Sequence, residues 1–219
     1  MSIGYTLARK EILLAREDLP DMWLLHLDET ITFALYRGSQ VSHLEQRLIY
    51  SLASGFVYLL PLVLLYLFFH SYRDKISSAK IFVTAILSWQ VLSSFTGQFL
   101  YSHYGFRDRP FTHYGLSELL LERPQKAFPS DHAAVLFAVA LSFFFYKYPK
   151  LGWLFLIGGM LSAIGRVAIG FHWMGDVLGG WAIGAIAFLI IRALDKPLTT
   201  LFDRIFTIAH IKRRTDELA

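Results

Sequence analysis

Three short stretches hold the residues best suited to chemistry. They are "FRDRPF" with Arg107, Asp108 and Arg109, "FPSDHAA" with Ser130, Asp131 and His132, and "GRVAIGFHWMGD" with Arg166, His172 and Asp176. Pro129 suits the position just before or at the first turn of a helix, and Ser130 and Asp131 are good N-terminal residues. A helix is therefore expected to start there, with its free amides and positive dipole end open to an anion. Arg109 and Arg166 each offer a planar fork that fits phosphate oxygens. His172 and Asp176 are spaced i, i+4, so a helix beginning near His172 would put both on one face. The carboxylate can then take the proton of one ring nitrogen and leave the other free to attack. Together these parts describe phosphoryl chemistry. Arg109, Arg166 and the Ser130 helix start hold the oxygens, His172 attacks, Asp176 orients it, and His132 protonates the departing oxygen and then activates water. Simpler readings stand beside this one: Asp131 as a plain helix cap, and His172–Asp176 as a structural pair closing a helix start.

The elements that must position these residues lie in a very apolar chain. Of the 219 residues 55% are hydrophobic and only 17% charged, against roughly 45–50% and about 25% in an ordinary soluble domain. Mean hydropathy is +0.45. Five uncharged runs read as membrane spans: Leu48–Tyr72, Ile81–Phe106, Ala133–Tyr146, Leu151–Gly165 and Val177–Ile191. The last three are short against the roughly 20 residues a crossing needs, unless the polar residues at their outer ends are included. The expected fold is an all-α, polytopic membrane helix bundle of about five transmembrane helices, preceded by interfacial N-terminal helices. In "MWLLHLDETITFALY", Met22–Tyr36, Asp28 and Glu29 fall near the middle, which favours a helix lying in the interface over a sixth span. The amphipathic, charged N-terminus does not read as a cleavable signal peptide. One domain over 1–219 is expected, with residues 1–47 as its amphipathic N-terminal segment and residues 98–187 carrying the motifs.

Lysine and arginine set an expected orientation. Arg73, Lys75 and Lys80 follow the first run, Lys147 and Lys150 the third, and Arg192, Lys196, Arg204, Lys212, Arg213 and Arg214 the fifth. These segments share one side, read as cytoplasmic together with the C-terminus. All three chemical stretches then fall on the outer face. The net charge of +4 and pI of about 9.3 do not point to nucleic acid, because the basic residues form no single stripe. With no cysteine, thiolate metal sites and disulfides are excluded. No histidine pair has helix-ligand spacing and no acidic cluster lies on the outer face, so neither metal nor cofactor is expected. Gly175 and Gly179, and Gly180 and Gly184, are spaced four apart, as small residues are where helices approach closely.

In order and spacing, Arg109–Pro110, "PSDH" and "GRVAIGFHWMGD" resemble the three motifs of the type-2 phosphatidic acid phosphatase superfamily. Five residues separate Arg166 from His172, and three separate His172 from Asp176. The resemblance covers roughly Gln98 to Ala187. It implies a metal-independent phosphatase core of membrane helices working through a phosphohistidine. In it His172 is the nucleophile, Asp176 its partner and His132 the proton donor, while Arg109, Ser130 and Arg166 bind phosphate. Arg107 and Asp131 are further candidates for phosphate contact. Two positions depart from the pattern: Ser102 stands where the first motif has lysine, and Gly165 where the third has serine. "RDRPF" and "FPSDH" look most like bacterial undecaprenyl-diphosphate phosphatases, which implies a polyprenyl diphosphate substrate and carrier recycling for wall synthesis. "LSELLLER", Leu116–Arg123, could shape lipid access or be an ordinary interfacial helix. The same motifs would also serve phosphatidylglycerophosphate, lipid A or phosphatidic acid, or a transfer of phosphate to another lipid. A transporter would need polar groups at mid-depth, and Gln90 and Gln98 are the only amides in the second run.

Overall fold

A computed structural model describes residues 22–39, 42–104, 109–113 and 127–209, and every regular element among them is helical. Helix α1 is Met22–Gly38. Helix α2, His43–Gly55, starts where the Ser42 hydroxyl accepts the Glu45 amide. It passes through a 3-10 turn into α3, Leu59–His70, giving an apolar rod over Arg47–His70. Ser71 is extended and its hydroxyl accepts the Asp74 amide, so a single residue makes the corner into α4, Tyr72–Ile86. A π-helical stretch, Leu87–Ser93, joins α4 to α5, Ser94–Tyr104. The short α6 is Pro110–His113, and α7 is Asp131–Phe145. Helices α8, Pro149–Ala168, and α9, Met174–Ala193, follow, and α10, Asp195–Ile208, closes the described chain.

Among the described residues, four helical stretches are long and apolar enough to cross a membrane: Arg47–His70, Tyr72–His103, Pro149–Ala168 and Met174–Ala193. Helices α8 and α9 reach that length because they take in the polar residues at their ends, as expected. Helix α7 does not. Its 15 residues reach only about 22 Å at 1.5 Å per residue, against a hydrocarbon core of about 30 Å. It nevertheless runs from the Ser130 end of the bundle to the Lys147 end, as the central helix, packed on α8 and α9 and buried on nearly every side. A helix apolar all round is what such a position requires. Its Leu136, Val139 and Phe143 join Leu60, Leu64, Ile81 and Phe155 in the main core. Outward faces carry Leu52, Leu62, Phe69, Phe82, Phe95, Leu161 and Leu189, an apolar jacket suited to lipid.

The second span corrects one expectation. It begins at Tyr72, so Arg73, Lys75 and Lys80 lie on a helix and not in a connection. Lys80 is buried, 2.6 Å from Asp195 and 3.0 Å from the Thr199 hydroxyl, with its ammonium over the Tyr146 ring. Its inner face also buries the hydroxyls of Thr84, Ser88 and Ser93, whereas Gln90 and Gln98 are exposed. The π turn inserts an extra residue, which keeps Ser88 and Ser93 on the same buried side.

Two chain reversals are built alike. At the end of α7 Lys147 has φ 70°, and at the end of α8 Gly170 has φ 76°. In the second, Gly170 N–H donates to Val167 O and Phe171 N–H to Arg166 O. That is the Schellman pattern, which places a left-handed residue just past the helix and throws the chain aside. Gly170 thereby delivers Phe171 and His172 to the end of the bundle where α7 begins.

Helices α7 and α9 meet through missing side chains. A Cβ on Gly180 would sit 2.5 Å from the Ser130 carbonyl, and one on Gly184 would collide with that of Ala134. The four-residue glycine spacing serves packing, as read from the sequence. Gly184→Ala is expected to cost about 1–3 kcal/mol by overpacking, seen as a lower thermal midpoint in detergent. An unchanged midpoint would contradict this close approach.

Candidate active site

The site forms where the start of α7, the end of α8 and the start of α9 converge. Ser130 stands at the N-cap position of α7, but its side chain makes no capping bond. Its amide instead donates to the Asp176 carbonyl at 2.9 Å, joining the second and third motifs through backbone. Its hydroxyl is fully buried and has no partner among the described residues. Asp131 accepts a hydrogen bond from Ser93 on the π-helical stretch. His132 is half-buried and lies near the Ser54 backbone, Arg166 and His172.

Helix α9 begins at Met174, two residues after His172. The expected sharing of one helical face is therefore not what unites His172 and Asp176. Asp176, in the first turn, folds back and takes the Trp173 amide at 2.9 Å on Oδ2. The same oxygen lies 3.3 Å from His172 Nδ1. An acid reaching back to the residue before the helix satisfies an otherwise orphaned amide and suits the dipole. Both side chains are almost wholly buried, His172 at 3% exposure and Asp176 at 2%.

The two arginines are organised by Phe171. Arg109 Nη1 donates to the Phe171 carbonyl at 2.7 Å. The guanidinium carbons lie 5.9 Å (Arg109) and 5.1 Å (Arg166) from the centre of its ring. A ring face attracts cations by about 0.5–2 kcal/mol each, which offsets part of the repulsion between two neighbouring positive groups. Phe171 is braced by Tyr50, stacked at 5.7 Å, and by Phe111 edge-on at 5.9 Å. Arg166 Nη1 donates to the Ser54 hydroxyl at 3.0 Å, while its Nε is buried with no partner among the described residues.

The residues read from the sequence thus converge: Arg109, Ser130, Asp131, His132, Arg166, His172 and Asp176 lie near one another at this end of the bundle. Arg107 and the segment 116–123 lie outside the described residues. Ser102 is exposed, its hydroxyl bound back to the Phe99 carbonyl of its own helix. Gly165 has a packing role: a Cβ there would lie 3.0 Å from that of Ala53. That approach, with the Ser162–Ala53 hydrogen bond, brings Ser54 to Arg166. Sequence reading missed Ser54, Phe171 and Ser93. Phe171 stood inside the third motif. Ser54 and Ser93 showed only as hydroxyls in apolar runs, a weak pointer at best.

Burial pushes His172 below its ordinary value of 6.5. The Asp176 hydrogen bond opposes this, and the neighbouring arginines reinforce it. The ring is therefore neutral at pH 7, with one nitrogen unprotonated. Burial also lowers Arg109, against the pull of the Asp176 and Asp131 carboxylates, yet it stays a cation in this range. NMR titration of ring-labelled histidine should find His172 still neutral at pH 6.5. In Asp176→Asn its pKa should fall further, because the raising influence of the carboxylate goes while the burial stays. A rise in that variant would contradict the assignment.

Comparison with known proteins bears on family and fold. The sequence profile of the PAP2 superfamily matches residues 79–198. The chain is 33% identical over 104 residues to the undecaprenyl-diphosphatase BcrC of Bacillus subtilis, a match covering 46% of this chain and 53% of that one. It thus spans about half the length of that relative. It is 29% identical over 165 residues to an undecaprenyl-diphosphatase of Sulfolobus acidocaldarius, covering 73% and 75% of the two chains. The fold is similar to that of a transmembrane PAP2-type phosphatidylglycerolphosphate phosphatase from Bacillus subtilis, with a TM-score of 0.60 at 20% identity, over 90% of this chain and 98% of that one. A profile matching more than half of the chain, joined to a multi-pass helical fold of the same kind, shows that this protein is a member of the PAP2 superfamily.

Proposed function

We propose that this chain is an integral-membrane lipid phosphatase that removes the terminal phosphate of a polyprenyl diphosphate, undecaprenyl diphosphate in the first instance. The observation that carries the proposal is a pair of buried, unpartnered polar atoms, Ser130 Oγ and Arg166 Nε, beside His172 and Asp176. Buried polar atoms are ordinarily satisfied. Two of them in a place already rich in positive charge call for an anion with several oxygens.

The chemistry follows from the roles the geometry allows. Asp176 accepts the Nδ1 proton of His172 and leaves Nε2 free. Nε2 attacks the terminal phosphorus, an N–P bond forms, and the bond from that phosphorus to the bridging oxygen breaks. Burial and the neighbouring Arg166 push His132 down to about 3, so it takes its proton from solvent as the incoming phosphate offsets that positive charge. It then gives this proton to the bridging oxygen, and polyprenyl phosphate leaves. The now neutral His132 takes a proton from water, whose oxygen attacks the phosphohistidine, and inorganic phosphate is released with His172 restored. Arg109, Arg166 and Ser130 hold the equatorial oxygens as charge moves across them. Asp131, already bound by Ser93, positions the α7 start and is not proposed as a direct phosphate ligand.

Orientation supports the same reading. Arg73, Lys75, Lys147, Lys150, Arg192 and Lys196 gather at the end of the bundle away from the site, which by the positive-inside rule is cytoplasmic. The site then opens at the outer face, where a carrier lipid would be dephosphorylated after use. Undecaprenyl-diphosphatases of two organisms are among the similar proteins, which favours this lipid over lipid A or phosphatidic acid; phosphatidylglycerophosphate is the second candidate, because phosphatases of that lipid are similar too.

Purified protein in detergent, with a strong chelator present, should release inorganic phosphate from undecaprenyl diphosphate faster than from those three lipids. Absence of release from undecaprenyl diphosphate would contradict the substrate. Loss of turnover on chelation, restored by magnesium, would contradict the metal-free mechanism. Label appearing in a second lipid and not in free phosphate would make the protein a transferase.

A further inference from the structure

Helix α1 lies outside residues 79–198, the stretch the family profile matches, and the chemistry above assigns it no task. Its inner face nevertheless docks on the first turn of α9. Thr32 is buried at 1% exposure, and its hydroxyl accepts the Met174 amide at 3.1 Å. One helical turn earlier, Asp28 Oδ1 accepts the Gly175 amide at 2.7 Å. Ser39, at the far end of α1, donates to the Ala168 carbonyl at 2.6 Å. The segment from the end of α8 to the start of α9 is thus held at both ends by α1.

That segment is the one that aims the nucleophile. Met174 and Gly175 are the two residues between the Trp173 amide and Asp176, whose carboxylate must reach back to Trp173 and His172 together. The first amides of a helix have no partner within it. Here Asp176 cannot cap them all, because its Oδ2 is already shared between Trp173 and His172. Asp28 and Thr32 take the two that remain, and a carboxylate beside a helix N-terminus is favoured by the dipole. Gly175 has the small size this needs: a Cβ there would lie 3.3 Å from Asp28 Oδ2. The acid that argued for an interfacial helix therefore points inward, at the catalytic turn.

We infer that Asp28, backed by Thr32, is a positioning residue for the His172–Asp176 pair: it acts through the backbone of α9 and touches neither phosphate nor the attacking nitrogen. The inference rests on the phosphatase reading above. The pair is long at 3.3 Å, so a small shift of the turn moves His172 out of reach of Asp176. Misplacement of this kind lowers the rate of the chemical step and leaves ground-state binding largely intact.

Full-length Asp28→Ala, Asp28→Asn and Thr32→Val are compared with wild type on whichever lipid of the panel wild type turns over fastest. Hydrogen exchange over residues 171–178 is followed in parallel. Asp28→Ala should lose about tenfold or more in kcat with KM within about twofold, and exchange in that segment should quicken. Asp28→Asn keeps an acceptor oxygen in place and should stay within about threefold of wild type. Thr32→Val should show the same pattern more weakly, which keeps the test open should Asp28→Ala not fold. An unchanged kcat in Asp28→Ala, a loss no larger than its loss of folded protein, or Asp28→Asn as poor as Asp28→Ala would each overturn the inference. A wild type inactive on every lipid would sink the phosphatase reading instead, and the exchange data would still decide whether α1 holds the turn.

Discussion

A single backbone hydrogen bond, from the Ser130 amide to the Asp176 carbonyl, joins the two halves of this site. It can form because α7 and α9 approach almost to backbone contact, and they approach because Gly180 and Gly184 present no Cβ to the carbonyls of Ser130 and Ala134. Everything chemical hangs from that crossing. On one side it fixes the start of α7 with Ser130 and His132. On the other it fixes the first turn of α9, from which Asp176 reaches back to His172. The rest of the bundle surrounds this pair: α8 brings Arg166 to the end of its last turn, and the Gly170 reversal carries Phe171 and His172 across.

The second constraint is charge. Arg109 and Arg166 are brought close together in a buried place and share one aromatic platform. Such an arrangement is costly without a counter-ion. Asp131 and Asp176 lie near enough to be felt by Arg109, but Asp131 is occupied with Ser93 and Asp176 with Trp173 and His172. The remaining capacity, in Arg166 Nε and the Ser130 hydroxyl, is what a phosphoryl group would complete. On the proposed reading the site is pre-organised for charge that the substrate brings, as phosphoryl transfer requires.

Much of this was legible because helix ends advertise themselves. Pro129 with Ser130 marked a start, and the arginine, histidine and aspartate of the third motif fell at the junction of two apolar runs. The PAP2 motifs then gave those residues an order. Other features were out of reach for physical reasons. An all-apolar run reads the same whether it faces lipid or protein, so the central, fully jacketed place of α7 was not visible. Ser54 meets Arg166 across 112 positions and Asp28 meets Gly175 across 147. No local pattern reports contacts of that range. Asp28 read only as a sign of water at an interface, because the helix start that it also caps is far along the chain. The charged turn at Tyr72 misled: Lys80 was read as loop because its partner, Asp195, lies 115 residues away.

The central claim is that His172 becomes covalently phosphorylated. The most direct measurement is to trap the protein during turnover of a lipid labelled in its terminal phosphate and to characterise the bound label. Wild type should carry a phosphoenzyme that is labile in acid and stable in base, as a phosphohistidine is, and His172→Ala should carry none. A phosphoenzyme that persists in His172→Ala would show that another residue is the nucleophile and would contradict the account given for this site.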